Sequence, residues 1–186
     1  KVADWSGKRG LDPAVMDRFR PWFVSLLMVA TEYAALGAAP DRGVDQFFED
    51  RAAKDGKPGT GLETVEQQLA LFSGMTAEQE KEVLEQTLAE MATVEAEFEN
   101  MISAWRTGDL EALQDLLFRE AEHYPDLMEA FLHRRNRAWV PDLEKVLARG
   151  GRAMVLVGAG HLGGDQGVIS LLRQKGYEVT PVVAAQ

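Results

Sequence analysis

Cysteine is missing from all 186 residues, which rules out disulfides, thiolate metal sites and a cysteine nucleophile. The compartment stays open, because a chain without cysteine suits the cytoplasm and the periplasm alike. Positive charge is scarce: 20 Lys and Arg stand against 30 Asp and Glu, for a formal net charge of −10. Gripping nucleic acid through its phosphates needs clustered Lys and Arg, so no nucleic-acid partner is expected, nor an anionic membrane surface. No apolar run reaches the roughly 18 residues of a spanning helix. The nearest, "PWFVSLLMVATEYAALG", is interrupted by Glu32 and Tyr33, so no membrane span is expected. No signal peptide is visible, and because the chain opens on Lys1 the natural N-terminus is expected to lie upstream.

What is present fits an ordinary globular protein, with 46% hydrophobic and 27% charged residues and no repeat or low-complexity stretch. The length predicts a single domain over residues 1–186. Asp12 and Pro13 form a cap and first-turn proline, and Pro21 restarts helix to Gly37. "GVDQFFEDRAAKDG" reads as a helix with Asp45 at its start, and Thr64 caps "VEQQLALF". Thr76 and Gln79 have capping-box spacing and open the longest predicted helix, through Thr107. Gly108 and Asp109 begin "LEALQDLLFREAEHY"; after Pro125 comes "DLMEAFLHRRNRAWV", then Pro141 and "DLEKVLAR". Only the tail looks like strand–loop–helix–strand, with strands at 153–157 and 177–183 around a helix at 167–175. The predicted fold is therefore α/β, mostly helical with a small central sheet. Two or three strands are few for so many helices, and further strands are expected from sequence upstream of Lys1.

The tail's loop carries Gly158, Gly160 and Gly163, which spell G-x-G-x-x-G. A dinucleotide site needs that turn in the first βα unit of a larger sheet, with an acidic residue ending the next strand. Glu178 falls near the start of the second predicted strand, and Asp165 is a poor neighbour for a pyrophosphate. The loop has no G-K-[ST] element either, so Walker-type binding is excluded. The other reading centres on His161, flanked by glycines that let backbone approach a substrate or metal. Asp165 and the amides of the next helix would orient its imidazole or hold a developing anion. A histidine that only hydrogen-bonds within a tight turn fits the same residues.

"VLVGAGHLGGDQGVISLLRQKGYEVTPV" closely resembles the C-terminal signature of the TraB/GumN family, which is related to the Tiki-type metalloproteases. The resemblance runs upstream through "GVDQFFEDRAAKDGKPGTGLETVEQQLALF", "RTGD" and "LHRRNRAWVPDLEKVL", so it covers Gly43 to Val183. It implies two G-x-x-H motifs and acidic residues that hold a divalent metal for hydrolysis of a peptide-like amide or ester. Gly158–His161 matches the second G-x-x-H, Glu63 the acidic position between the motifs, and Arg135 and Asn136 the family's Arg-Asn pair. The first G-x-x-H is not in this sequence, and His123 and His133 stand in unrelated contexts. The resemblance thus implies a domain lacking its N-terminal part, with a weak site for Mn, Co or Zn built from His161 and Glu63. It also implies a periplasmic or secreted protein. Two other readings stay open: a binding protein for a peptide or small ligand without turnover, and an accessory of polysaccharide export.

Arg135 has support beyond the resemblance. Met128, Phe131, Leu132, Arg135 and Trp139 fall at helical spacings of three and four, so the arginine interrupts an apolar stripe. A guanidinium facing a core must meet a carboxylate, a backbone acceptor or a ligand. It is read either as half of an ion pair, with Glu63 a candidate, or as a clamp for an oxyanion or substrate carboxylate, with Asn136 adding a neutral hydrogen bond. Glu63 follows "GTGL" and either caps the helix starting near Val65 or enters a cleft as metal ligand or base. Asp165 is a weak third ligand. The four Trp residues read as core, and the 7 scattered Met residues form no metal-binding cluster.

Overall fold

Every regular element in a computed structural model, which describes residues 1–119 and 124–182, is a helix or helical turn. The chain divides into two compact units, Lys1–Glu99 and Asn100–Gln186.

The first unit begins with α1 (Val2–Lys8), α2 (Pro13–Met16) and α3 (Pro21–Ala35). Asp12 caps α2 by accepting the Ala14 N–H at 2.9 Å, and Pro13 and Pro21 each occupy a first turn, where no N–H is needed. Then come α4 (Val44–Lys54), α5 (Val65–Ser73) and α6 (Ala77–Glu90). Both α5 and α6 open with a full capping box. The Thr64 hydroxyl accepts from Gln67 N at 3.2 Å while the Gln67 side chain accepts from Thr64 N at 2.8 Å. Thr76 and Gln79 repeat the pattern at 3.2 and 2.9 Å.

Helix α3 packs along α6, and the core gathers Trp5, Met16, Val24 and the fully buried Met28, with Leu84, Leu88 and Met91 against them. Each such side chain contributes about 1.5–3 kcal/mol by leaving water. Glu32, the charge that breaks the apolar run of α3, is buried as well. It accepts the Trp5 indole N–H at 2.6 Å and the Arg9 Nε–H at 2.9 Å, and pairs with Arg9 Nη2. A buried carboxylate survives only when donors replace its water, as they do here. These Arg9 hydrogen bonds hold the Glu32 carboxyl below its ordinary value of 4.5, against the opposing effect of burial. Buried Glu80 is likewise paired with a cation, Arg20.

The single helix predicted from Thr76 to Thr107 is divided, stopping at Glu90 and resuming as α7 (Val94–Thr107). Thr93 lies in the break. Its single hydroxyl hydrogen is shared between the Glu90 carbonyl at 3.3 Å and the Glu97 carboxylate at 3.0 Å, local contacts that compete with the helical ladder.

In the second unit, Asp109 caps α8 (Leu110–Phe118) by accepting Ala112 N at 3.0 Å. The predicted continuation of α8, including His123, runs into residues 120–123, outside the described residues. Next come α9 (Pro125–Met128), a π-helical turn (Glu129–His133) and α10 (Arg134–Ala148). Pro141 does not end α10, although its missing N–H forfeits a backbone bond. Trp139, Val140 and Leu143, all buried around it, offset that loss. A 3₁₀ turn (Ala159–His161) and α11 (Val168–Gln174) complete the unit, with α11 against α10 and the 3₁₀ turn against α8.

The α/β prediction is overturned. Among the described residues there is no strand and no sheet, so the fold is all-α. Residues 152–158 and 177–182 are irregular, and residue 183, the end of the second predicted strand, lies outside the described set. Met154, Val155 and Val182 are 62, 44 and 98% exposed, whereas a core-facing strand would bury its apolar side chains. A short β-branched run records local preference only, and strand formation depends on a partner that local sequence does not specify.

Candidate functional site

Helix α10 and the glycine loop meet around His161. The π turn at Glu129–His133 widens the helix just before Arg135, and π turns of this kind recur at functional sites. Arg135 turns back so that Nη1 donates to the Phe131 carbonyl at 2.8 Å. The same Nη1 lies 3.3 Å from Nε2 of His161, and the guanidinium stands 5.2 Å from the centre of the Trp139 ring, within cation–π range. Trp139 packs its ring against the imidazole at 4.5 Å. Trp139 reads from sequence as plain core; buried it is, and it also forms one wall of the histidine's seat.

Asn136 is the second anchor, only 1% exposed. Its Nδ2 donates to the Gln166 carbonyl at 2.8 Å, which leaves Oδ1 facing His161 Nδ1 at 2.6 Å. One proton assignment fits these contacts. Because Oδ1 can only accept, Nδ1 carries the hydrogen. Because Arg135 can only donate, Nε2 presents its lone pair. His161 is thus a neutral, fixed tautomer, 9% exposed, with its basic nitrogen beside a positive charge. Asp165, a candidate from sequence for orienting the imidazole, is exposed, and Asn136 holds Nδ1 instead. That role was not legible, since the partner lies 25 residues away.

The glycines do different jobs. Gly158 accepts the His161 N–H at 2.9 Å, yet a Cβ there would sit an ordinary 3.7 Å from the imidazole. At Gly160 a Cβ would lie 2.9 Å from Phe118 Cζ, and at Gly163 it would lie 2.7 Å from Gln114 Cγ. Gly167 is the tightest, with backbone oxygens of Gly163 and Leu162 at 2.1 and 2.5 Å. Gly160, Gly163 and Gly167 therefore set how closely the loop approaches α8 and itself. Gln114, which donates to the Gly160 carbonyl at 3.3 Å, is a site neighbour that carries no sequence signal.

Glu63 belongs to the first unit, half-buried in the loop before α5, where Thr64 provides the helix cap. Asp45 sits in the first turn of α4, as a helix-start residue should. His161, Arg135 and Asn136 are brought together within the second unit. A divalent metal does not fit the described residues. No three His, Cys, Asp or Glu side chains converge among them, and a cation on His161 Nε2 would face the Arg135 guanidinium. Among the described residues no helix is long and apolar enough to cross a membrane.

Comparison with known proteins agrees with the sequence pattern. The chain is 26% identical over 168 residues to YbaP of Escherichia coli K12, covering 90% of this chain and 62% of that protein. It is 24% identical over 192 residues to metalloprotease TIKI2 of Danio rerio, covering 88% of this chain and 37% of the relative. Metalloprotease TIKI1 of Homo sapiens is also 24% identical, with 38% of its length covered. The chain thus spans less than two thirds of these relatives. No solved structure matches it. The profile of the TraB/PrgY/gumN family matches residues 2–181, nearly the whole chain, and the protein belongs to that family.

Proposed function

We propose that this chain carries part of the active site of a hydrolase acting on a peptide-like amide or ester bond. The observation that carries the proposal is the neutral His161, its tautomer set by Asn136 and its Nε2 lone pair 3.3 Å from Arg135. A lone pair and a cation side by side suit a polarised carbonyl: the guanidinium draws the oxygen as charge develops, and the imidazole accepts a proton from the attacking group. Asn136 and the Gln166 carbonyl keep the ring from rotating. Two relatives are named metalloproteases, which suggests a divalent metal, Mn, Co or Zn, as the cofactor of such a hydrolase. A periplasmic or secreted location is part of the same proposal, resting on the family resemblance alone.

The test is incubation of the protein with a mixed peptide library, with and without Mn²⁺, followed by mass spectrometry. Cleavage products that vanish in His161→Ala and Arg135→Met support the hydrolase. Peptides retained intact, and lost from the same variants, favour the second reading, a binding protein using the same side chains. Cleavage unaffected by His161→Ala refutes the assignment.

A further inference from the structure

Beside His161 lies a cavity of about 220 Å³. Its volume decides what could enter. A cavity of ~150 Å³ already accommodates benzene, whereas sites that bury a whole drug-sized ligand run from ~300 Å³ upward. A single side chain fits. The apolar walls come from Phe118 at the end of α8, Met128 at the end of α9 and Leu132 in the π turn. On the opposite side the loop contributes glycine backbone, including Gly160 and Gly163. The contacts of those two positions with Phe118 and Gln114 leave no room for side chains of their own.

Asp165, exposed, and His133, half-buried, are the ionisable members of the lining. Exposed as it is, Asp165 places negative charge at the solvent side and discourages an acidic occupant. Asn136 belongs both to this lining and to the His161 network, bonded to Nδ1 at 2.6 Å. The cavity is thus separated from the imidazole by one hydrogen-bonded side chain, that of Asn136.

From this we infer that the cavity is a specificity subsite for one uncharged apolar side chain of leucine or methionine size on the substrate. The inference rests on the peptide-like substrate of the proposed function and adds which residue is selected beside the reacting bond. It separates three kinds of residue: His161 and Arg135 act on the bond, Asn136 positions the imidazole, and Phe118, Met128 and Leu132 choose the neighbour.

The experiment reads binding, not turnover. The ¹⁵N-labelled protein is titrated with N-acetyl-leucinamide, N-acetyl-alaninamide, N-acetyl-lysinamide and N-acetyl-glutamate amide while the Gly163, Gly164 and Gly167 amide signals are followed. The leucine probe is expected to shift these signals saturably and to bind at least about tenfold tighter than the alanine probe, which lacks most of the buried side chain. Lysine and glutamate probes are expected to bind no better than alanine. Met128→Trp, which fills the cavity from a half-buried position, should abolish the leucine response with the remaining spectrum unchanged. Leu132→Ala, which enlarges it, should move the preference towards N-acetyl-phenylalaninamide. Equal responses to leucine and alanine, a leucine response that persists in Met128→Trp, or no saturable shift at all overturns the inference. Saturable leucine binding by a protein that cleaves nothing leaves the subsite standing and removes the hydrolase. Cleavage indifferent to leucine beside the bond does the reverse.

Discussion

Replacing Asn136 with leucine keeps the branching of the side chain and deletes its two hydrogen bonds to the glycine loop. The residue is 1% exposed, so no water can take over its role towards His161. The His161 Nδ1–H, bonded at 2.6 Å in the native protein, becomes a buried donor without an acceptor, at a cost of about 1–3 kcal/mol. Moving the proton to Nε2 offers no escape, because it would place a second donor against Arg135 Nη1, 3.3 Å away. The Gln166 carbonyl loses its 2.8 Å partner too, but Gln166 is exposed and water can replace the amide, so only about 0.5–1.5 kcal/mol goes with it. Together Asn136→Leu should cost about 1.5–4.5 kcal/mol, the sum of these two losses. Equilibrium urea unfolding measures the cost, and a long-range ¹H–¹⁵N spectrum of the histidine ring measures the tautomer. The native ring should show a protonated Nδ1 and a pyridine-like Nε2, and the variant should keep that tautomer while its Nδ1 signal moves with the loss of its acceptor. A loss below about 0.5 kcal/mol, less than one ordinary hydrogen bond, would refute the assignment, as would an unchanged ring spectrum.

The loop glycines should differ sharply: Gly167→Ala, with backbone oxygens in the way, should destabilise by about 3 kcal/mol or more, while Gly158→Ala should be nearly neutral. Equal damage at the two positions in urea unfolding would show that steric closeness does not set the loop. For Glu32, whose carboxyl Arg9 holds below 4.5, the stabilising contribution is present above that value and fades as pH falls through the lower folded-state value. Glu32→Gln should accordingly be less stable than the native chain at pH 7, with the gap narrowing on urea unfolding as pH falls below 4.5; a constant gap would contradict the ion-pair account. Thr76→Ala removes one capping box and should cost about 1 kcal/mol by the same measurement. Calorimetric titration with Mn²⁺ or Zn²⁺ should show no tight one-to-one binding by this chain, and tight binding lost in His161→Ala would contradict that expectation.

Features that depend on a few neighbouring residues were open to reading in advance. Thr64 with Gln67 and Thr76 with Gln79 lie three apart and satisfy the same N–H groups in any helix they begin. The break at Thr93 was not legible, because it turns on a hydroxyl choosing Glu90 and Glu97 over solvent. Glu32 looked like a simple interruption of an apolar run; its burial depends on Arg9 and Trp5, 23 and 27 residues away. The sheet failed for a related reason. The runs at 153–157 and 177–182 carry the right residue types for strands, but a strand is a relation between two segments, and one segment's composition cannot report it.

The candidate site shows the same division at finer grain. The helical stripe from Met128 to Trp139 makes Arg135 conspicuous, since a charge in an apolar row must find an acceptor. Two acceptors are the Phe131 carbonyl, one turn back, and His161, 26 residues on. Only the first could be anticipated from spacing. Asn136, next in sequence to that arginine, points at the same histidine from its other nitrogen. Adjacent residues on a regular α-helix diverge by about 100°. Their meeting on one imidazole therefore requires that Arg135 fold back along the helix while Asn136 reaches outward to the loop. The widened turn at Glu129–His133 directly precedes them, and straightening it would rotate the pair relative to the helix behind. On this argument the π turn, rather than the G-x-x-H sequence alone, sets the geometry on which the hydrolase and subsite readings both depend.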